Sequence, residues 1–88
     1  MIRDKWISMK EIRIRDEFIK LGQALKLAGA VSTGVEAKIE IEDGKVKVNG
    51  EIDTRRGRKC RNGDVILYKN TEYLIKSPVQ NSIVGNDK

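Results

Sequence analysis

An α+β fold is predicted by three observations. Apolar residues at spacings of three and four follow Asp16 in the N-terminal half, marking a helix. Short alternating segments broken by Gly, Asn and Asp follow Lys45, marking strands and tight turns. The chain has 88 residues, 39% of them hydrophobic and 35% charged, which suits one small core and leaves room for one site.

The elements follow in order. Trp6 to Ile14 alternates imperfectly, with Met9, Ile12 and Ile14 as apolar positions, and is expected to form an extra N-terminal strand. Asp16 can cap a helix whose buried stripe is Phe18, Leu21, Leu25 and Ala28, and Gly29 can close it. Gly22 lies inside that helix at a cost of ~1 kcal/mol relative to Ala, so a close packing contact is expected there. The next segment reads two ways. Val35, Ala37, Ile39 and Ile41 alternate with polar residues ahead of Asp43-Gly44, which slightly favours a hairpin. Yet Ala37 and Ile41 are four apart, Ser32 or Thr33 can cap, and Gly44 can terminate a helix over about residues 34 to 43.

Val46 and Val48 begin a short strand, Asn49-Gly50 is read as a turn and nothing more, and Glu51-Ile52 follows. Asn62-Gly63-Asp64 turns the chain into Val65 to Tyr68, and Lys69-Asn70 joins this to Tyr73-Leu74-Ile75 as a terminal hairpin that Pro78 stops. One domain is expected over residues 1 to 78, with 79 to 88 as a flexible tail.

The residue inventory narrows the chemistry. Histidine is absent and Cys60 is the only cysteine. Histidine-based triads, His/Cys zinc sites, CxxC redox pairs and intramolecular disulfides are thereby excluded. The expectation is a protein that is not an enzyme and needs no cofactor or small-molecule substrate. Adjacent Asp16 and Glu17 do not face one another as an acid/base pair would. No segment approaches the ~20 apolar residues of a membrane span, and Met1 to Lys5 leads into no apolar signal region, so a cytoplasmic location is expected.

Lys and Arg number 18 against 13 Asp and Glu, an excess of +5. Arg55-Arg56-Gly57-Arg58-Lys59-Cys60-Arg61 contains five of those bases and no acid, so the other 13 bases balance the 13 acids and this run accounts for the whole net charge. Between strand-like segments and punctuated by Gly57 and Gly63, it reads as a loop held on a folded scaffold. Its guanidinium groups can donate in a planar fork to phosphate oxygens and stack on unpaired bases. Cys60 is expected to face inward as a small hydrophobe.

Several blocks carry a resemblance: Lys20-Leu21-Gly22-Gln23-Ala24-Leu25-Lys26-Leu27-Ala28, then Ala37, then Gly44-Lys45-Val46-Lys47-Val48-Asn49-Gly50, then Arg55-Arg56-Gly57-Arg58-Lys59, then Gly63-Asp64-Val65-Ile66. Their order and spacing resemble the alpha-L RNA-binding motif, the S-four-type domain named for the small-subunit ribosomal protein, and within it the small stand-alone bacterial members. The likeness covers about residues 18 to 76. It implies two helices in the N-terminal half packed on a small, mainly antiparallel sheet, with the second helix in the segment that local pattern leaves open. Many members open with Arg-Leu-Asp and carry Ser-Arg-Ser before the second helix. Here those places hold Lys20-Leu21-Gly22 and Thr33-Gly34-Val35, while Lys38 matches a commonly basic position.

The resemblance implies binding of structured RNA, typically ribosomal or transfer RNA, and in stand-alone members a role in ribosome assembly or subunit binding, with ribosomal proteins as possible neighbours. The residues expected to contact RNA are Arg55, Arg56, Arg58, Lys59 and Arg61, with Lys20, Lys26 and Lys38 extending the footprint along the helices. The alternative is a protein-interaction module docking an acidic partner through the same loop. Aromatic residues are 5% of the chain, too few for the paired strand aromatics of an RRM surface, and Trp6 is read as a packing residue.

Overall fold

A computed structural model describes residues 8–78. Strand β1 spans Ser8–Arg13, β2 Phe18–Lys20, helix α1 Leu21–Leu27, helix α2 Gly34–Glu42, then β3 Val46–Val48, β4 Glu51–Ile52, β5 Lys59–Arg61, β6 Val65–Tyr68 and β7 Thr71–Lys76. The strands form a five-stranded sheet in the order β1-β7-β6-β3-β4 and a separate two-stranded ribbon, β2-β5. Every pairing is antiparallel except β1 with β7, which is parallel, with Ile12 opposite Ile75. The expected α+β architecture of two helices on a mainly antiparallel sheet is the one observed. Trp6 and the tail from residue 79 lie outside the described residues.

The core lies between the sheet and the two helices. Leu21, Ala24 and Leu25 of α1, Ala37 and Ile41 of α2, and Val46, Ile66, Tyr68 and Ile75 of the sheet are all buried. Ile12 anchors β1 to this core while Met9 stays largely exposed, so β1 attaches chiefly through one apolar side chain and its ladder to β7. Lys69 and Asn70, both at positive φ, make the two-residue turn between β6 and β7.

Three local expectations are corrected. First, Asp16 does not cap a helix. Phe18 to Lys20 pair with Arg61 to Lys59, so their backbone groups are taken by a strand from the other half of the chain, and α1 begins at Leu21. The Asp16 carbonyl instead accepts a hydrogen bond from Ser77 Oγ at 2.6 Å. Second, the locally favoured hairpin over Val35 to Val48 is a helix followed by a strand. Val35 and Ile39 point outward while Ala37 and Ile41 are fully buried, the four-residue spacing of a helical face.

Both ends of α2 are specified. Thr33 Oγ1 accepts from Glu36 N at 3.0 Å, and Glu36 Oε1 accepts from Ser32 N at 2.8 Å. At the C-terminus, Gly44 at φ 80° lets its own N–H reach the Ile41 carbonyl while the Lys45 N–H reaches that of Glu40. Removing the cap by Thr33→Ala is expected to cost about 1 kcal/mol, read as a lower urea midpoint with an unchanged slope.

Third, the basic run is only half loop. Lys59–Arg61 is β5, with Cys60 fully buried opposite Ile19 and its two basic neighbours facing away. Cys60 is inward-facing as expected, and burial pushes its thiol pKa upward.

Candidate nucleic-acid interface

The basic loop is fastened to the start of α1 by its own backbone. Leu21 N donates to the Arg58 carbonyl at 2.8 Å and Gly22 N to the Arg56 carbonyl at 3.0 Å, so the loop satisfies two N–H groups that a helix leaves unpaired and α1 needs no side-chain cap. The close contact expected at Gly22 is present. A Cβ at that position would lie 2.8 Å from Arg56 Cγ, so glycine lets the arginine lie across the first turn of the helix.

Two carboxylates hold the loop's shape. Asp53 accepts from Arg55 Nε at 2.9 Å and Arg55 Nη2 at 2.7 Å, and its Oδ2 lies 2.8 Å from Arg58 Nε. Asp53 Oδ1 also accepts from Arg55 N at 3.0 Å. Its side chain keeps 10% of its accessible surface, whereas Arg55 keeps 71%. The hydrogen bonds from the Arg55 side chain hold the Asp53 carboxyl down at about 2, and Asp53 in turn raises the Arg55 pKa. Arg58 also lies 3.6 Å from Asp64, so the more buried of these two guanidinium groups is a strut between two acids.

Asp64 is itself fixed. It accepts from Arg61 N at 2.8 Å and from Asn49 Nδ2 at 3.1 Å, while Asn49 Oδ1 accepts from Val65 N at 2.9 Å. Asn49 is therefore more than a turn residue. From its positive φ of 53° it ties the β3–β4 turn to the far end of the basic segment.

The remaining bases are differently placed. Lys20, Lys26 and Arg56 line a hollow of about 350 Å³ between α1, the loop and Gly34 at the start of α2. Arg55, Arg58, Lys59 and Arg61 line a second hollow of about 410 Å³, and Gly57 borders both. Seven of the eight bases singled out in the sequence thus converge on two adjoining concavities. The eighth, Lys38, lines neither. It sits on the exposed surface of α2 one turn beyond Gly34, and so shares that helix face. Among the described residues, Lys20, Lys26, Lys38, Arg56, Lys59 and Arg61 have no carboxylate within ion-pair distance.

The β2–β5 ribbon adds a feature that the helical reading of Phe18 concealed. Phe18 stands opposite Arg61, and Lys20 opposite Lys59, so all four share one face of the ribbon. Lys59 Nζ is 4.8 Å and Arg61 Cζ 5.5 Å from the centre of the Phe18 ring, within cation–π range. Arg61 Nε is buried without a hydrogen-bond partner, which leaves the ring as the main support of that guanidinium.

No group of three or more His, Cys, Asp or Glu among the described residues could hold a metal ion, and no described helix is long and apolar enough to cross a membrane. Fold and surface together define a small α+β module that presents cations on a helix pair and an adjoining strand ribbon. The chain belongs to the S4 domain family, whose model matches residues 12–76. This bears out the family resemblance read from the sequence. The chain is 49% identical over 55 residues to the Bacillus subtilis (strain 168) protein named "Probable ribosome maturation protein RlbA", covering 62% of this chain and 78% of that protein. It is 38% identical over 50 residues to the Escherichia coli (strain K12) protein named "Putative RNA-binding protein YbcJ", covering 57% of this chain and 71% of that one.

Proposed function

We propose that this protein is a non-catalytic, cytoplasmic RNA-binding module that grips structured ribosomal RNA during ribosome assembly or subunit binding, beside ribosomal proteins. The observation that carries the reading is the convergence of seven bases around Gly57, five of them without an internal counter-charge among the described residues. An ordinary solvated surface intersperses its signs; concentrated, uncompensated cations are stabilised by an anionic partner. S4 domain membership and the names of the two relatives support RNA as that partner.

In this reading Lys20, Lys26 and Arg56 neutralise phosphates in the hollow beside α1, while Arg55, Lys59 and Arg61 do so on the ribbon side and Lys38 reaches an outlying phosphate. Arg58 works chiefly from below, holding the loop through Asp53 and Asp64. A pair of concavities at fixed separation suits the shape and backbone recognition typical of folded RNA.

The test is a salt-titrated binding measurement with a ribosomal RNA fragment and with duplex DNA. RNA-preferring binding is expected, with a log-log salt slope of about −0.7 for each phosphate neutralised, the single-strand value, hence about −5 if all seven cations engage. Equal or absent binding to the two nucleic acids would refute the proposal and favour an acidic protein partner. Gly22→Ala adds a finer check. The Cβ displaces Arg56, so RNA affinity should fall several-fold. Gly22 is the second residue of α1, where Ala gains less than its interior preference of about 1 kcal/mol, so the urea midpoint should fall slightly while the core stays folded.

A further inference from the structure

Adjoining the Arg56 hollow along α1 lies a groove that neither the basic loop nor its carboxylates line. Its volume is about 700 Å³, in the range of small-molecule pockets, ~300–1,000 Å³. The wall is apolar: Ile14, Phe18, Ile19 and Leu27. Leu27 is 59% exposed and closes the wall at the end of α1. Around this wall stand Arg13, Arg15 and Lys26, of which Arg15 and Lys26 have no ion-pair partner among the described residues. Arg13 shares a solvent-exposed pair with Glu11 at 3.2 Å.

Two residues connect this groove to the proposed interface. Gln23 and Lys26 line both it and the hollow containing Arg56. Phe18 likewise belongs to two surfaces, lining the groove while carrying the Lys59 and Arg61 cations near its ring. A strand of RNA seated on the loop would therefore meet an aromatic and aliphatic wall as soon as it crossed α1.

We propose that this groove is a subsite for one unpaired nucleobase, which stacks on Phe18 and Leu27 while its flanking phosphates lie against Arg15 and Lys26. The inference rests on the RNA-binding reading above and adds a preference to it. Ile14 and Ile19 also pack against the core, which leaves Phe18 and Leu27 as apolar side chains that a phosphate would not use, and Asp16, which also lines the groove, would repel a phosphate placed within it. A base suits the same set: its faces are apolar and polarisable, and its edge N–H groups can donate to a carboxylate or an amide such as those of Asp16 and Gln23. Base stacking on protein side chains is sequence-tolerant, so discrimination is expected between paired and unpaired RNA more than among the bases.

The test uses an RNA hairpin carrying a single bulged 2-aminopurine and the same hairpin fully paired. The bulged hairpin should bind more tightly, with its fluorescence quenched on binding. Phe18→Leu, which keeps apolar bulk but removes the π face, should cut the bulged-to-paired affinity ratio by about tenfold. Leu27→Ser, at an exposed position where folding is insensitive, should cut it several-fold and guards against a folding defect in the first variant.

An unchanged ratio in both variants, or equal affinity of the natural chain for the two hairpins, would overturn the subsite. If an Arg55/Arg56/Lys59 to Ala variant still loses both hairpins, the interface reading survives that failure. If the natural chain binds neither hairpin, the interface reading itself fails, and the subsite with it.

Discussion

Replacing Arg55, Arg56 and Lys59 together by Ala is expected to abolish RNA binding at physiological salt while leaving the fold intact. The three side chains are exposed, and none is needed to hold the core. Among the described residues Arg55 is the only one of the three with an ion pair, and Asp53 keeps Arg58 when it is lost. Removing three phosphate contacts should make the salt slope shallower by about 2. Across ionic strengths from 50 to 200 mM, the natural chain should lose affinity far more steeply than the variant. Arg58 is left in place deliberately, because its removal would test loop geometry instead of phosphate contact. Unchanged RNA affinity in a folded triple variant would place the interface elsewhere. Circular dichroism and a urea titration would establish that the variant is folded.

The second large effect is expected at Asp53. Asp53→Ala removes the acceptor for Arg55 and the closer of the two acids facing Arg58, whose side chain keeps 25% of its surface. A guanidinium so placed, left with one acid at 3.6 Å, should cost about 2 kcal/mol, or roughly 10 °C in Tm for a domain of this size. The milder Asp53→Asn isolates the charge.

In the natural chain the carboxyl titrates near 2 against an ordinary value of 3.8. A pKa lowered by folding contributes stability that is complete above pH ~4 and is lost as pH falls toward 2, to the extent of about 1–2 kcal/mol after solvent screening. The gap in urea midpoint between the natural chain and Asp53→Asn should therefore be widest at neutral pH and close in acid. A gap that stays constant down to pH 2 would show that the carboxylate charge is not what holds the loop.

Much of this was legible because its causes are local. The turns at Asn49-Gly50 and Lys69-Asn70, the closure of α1 at Gly29 and the concentration of charge after Arg55 are written in neighbouring residues. What escaped depends on partners distant in sequence. Nothing near Phe18 announces a strand, because its partner Arg61 arrives more than forty residues later and takes the backbone groups that a longer helix would have used. The segment from Val35 to Ile41 satisfies both periods at once, and the choice is made by the Thr33 cap, the glycine after Asp43 and a sheet that needs Ala37 and Ile41 on one side.

Within the charged run, five bases look equivalent as letters. Only the packed acids distinguish Arg58, drawn beneath the surface, from Lys59, which faces outward. The groove flanked by Arg13 and Arg15 was likewise hidden, since each belongs to a strand or linker whose position relative to α1 is set by β7 and Ser77.

The side-by-side pairing of β1 with β7 places the earliest and latest described strands of the chain in one ladder. During synthesis the cations of residues 55 to 61 emerge before Thr71–Lys76 can lock the amino-terminal strand, so a nascent chain carries its full attraction for polyanions before it has the rigid geometry to discriminate among them. The first and last described strands thus enter the sheet together, after those cations have been made.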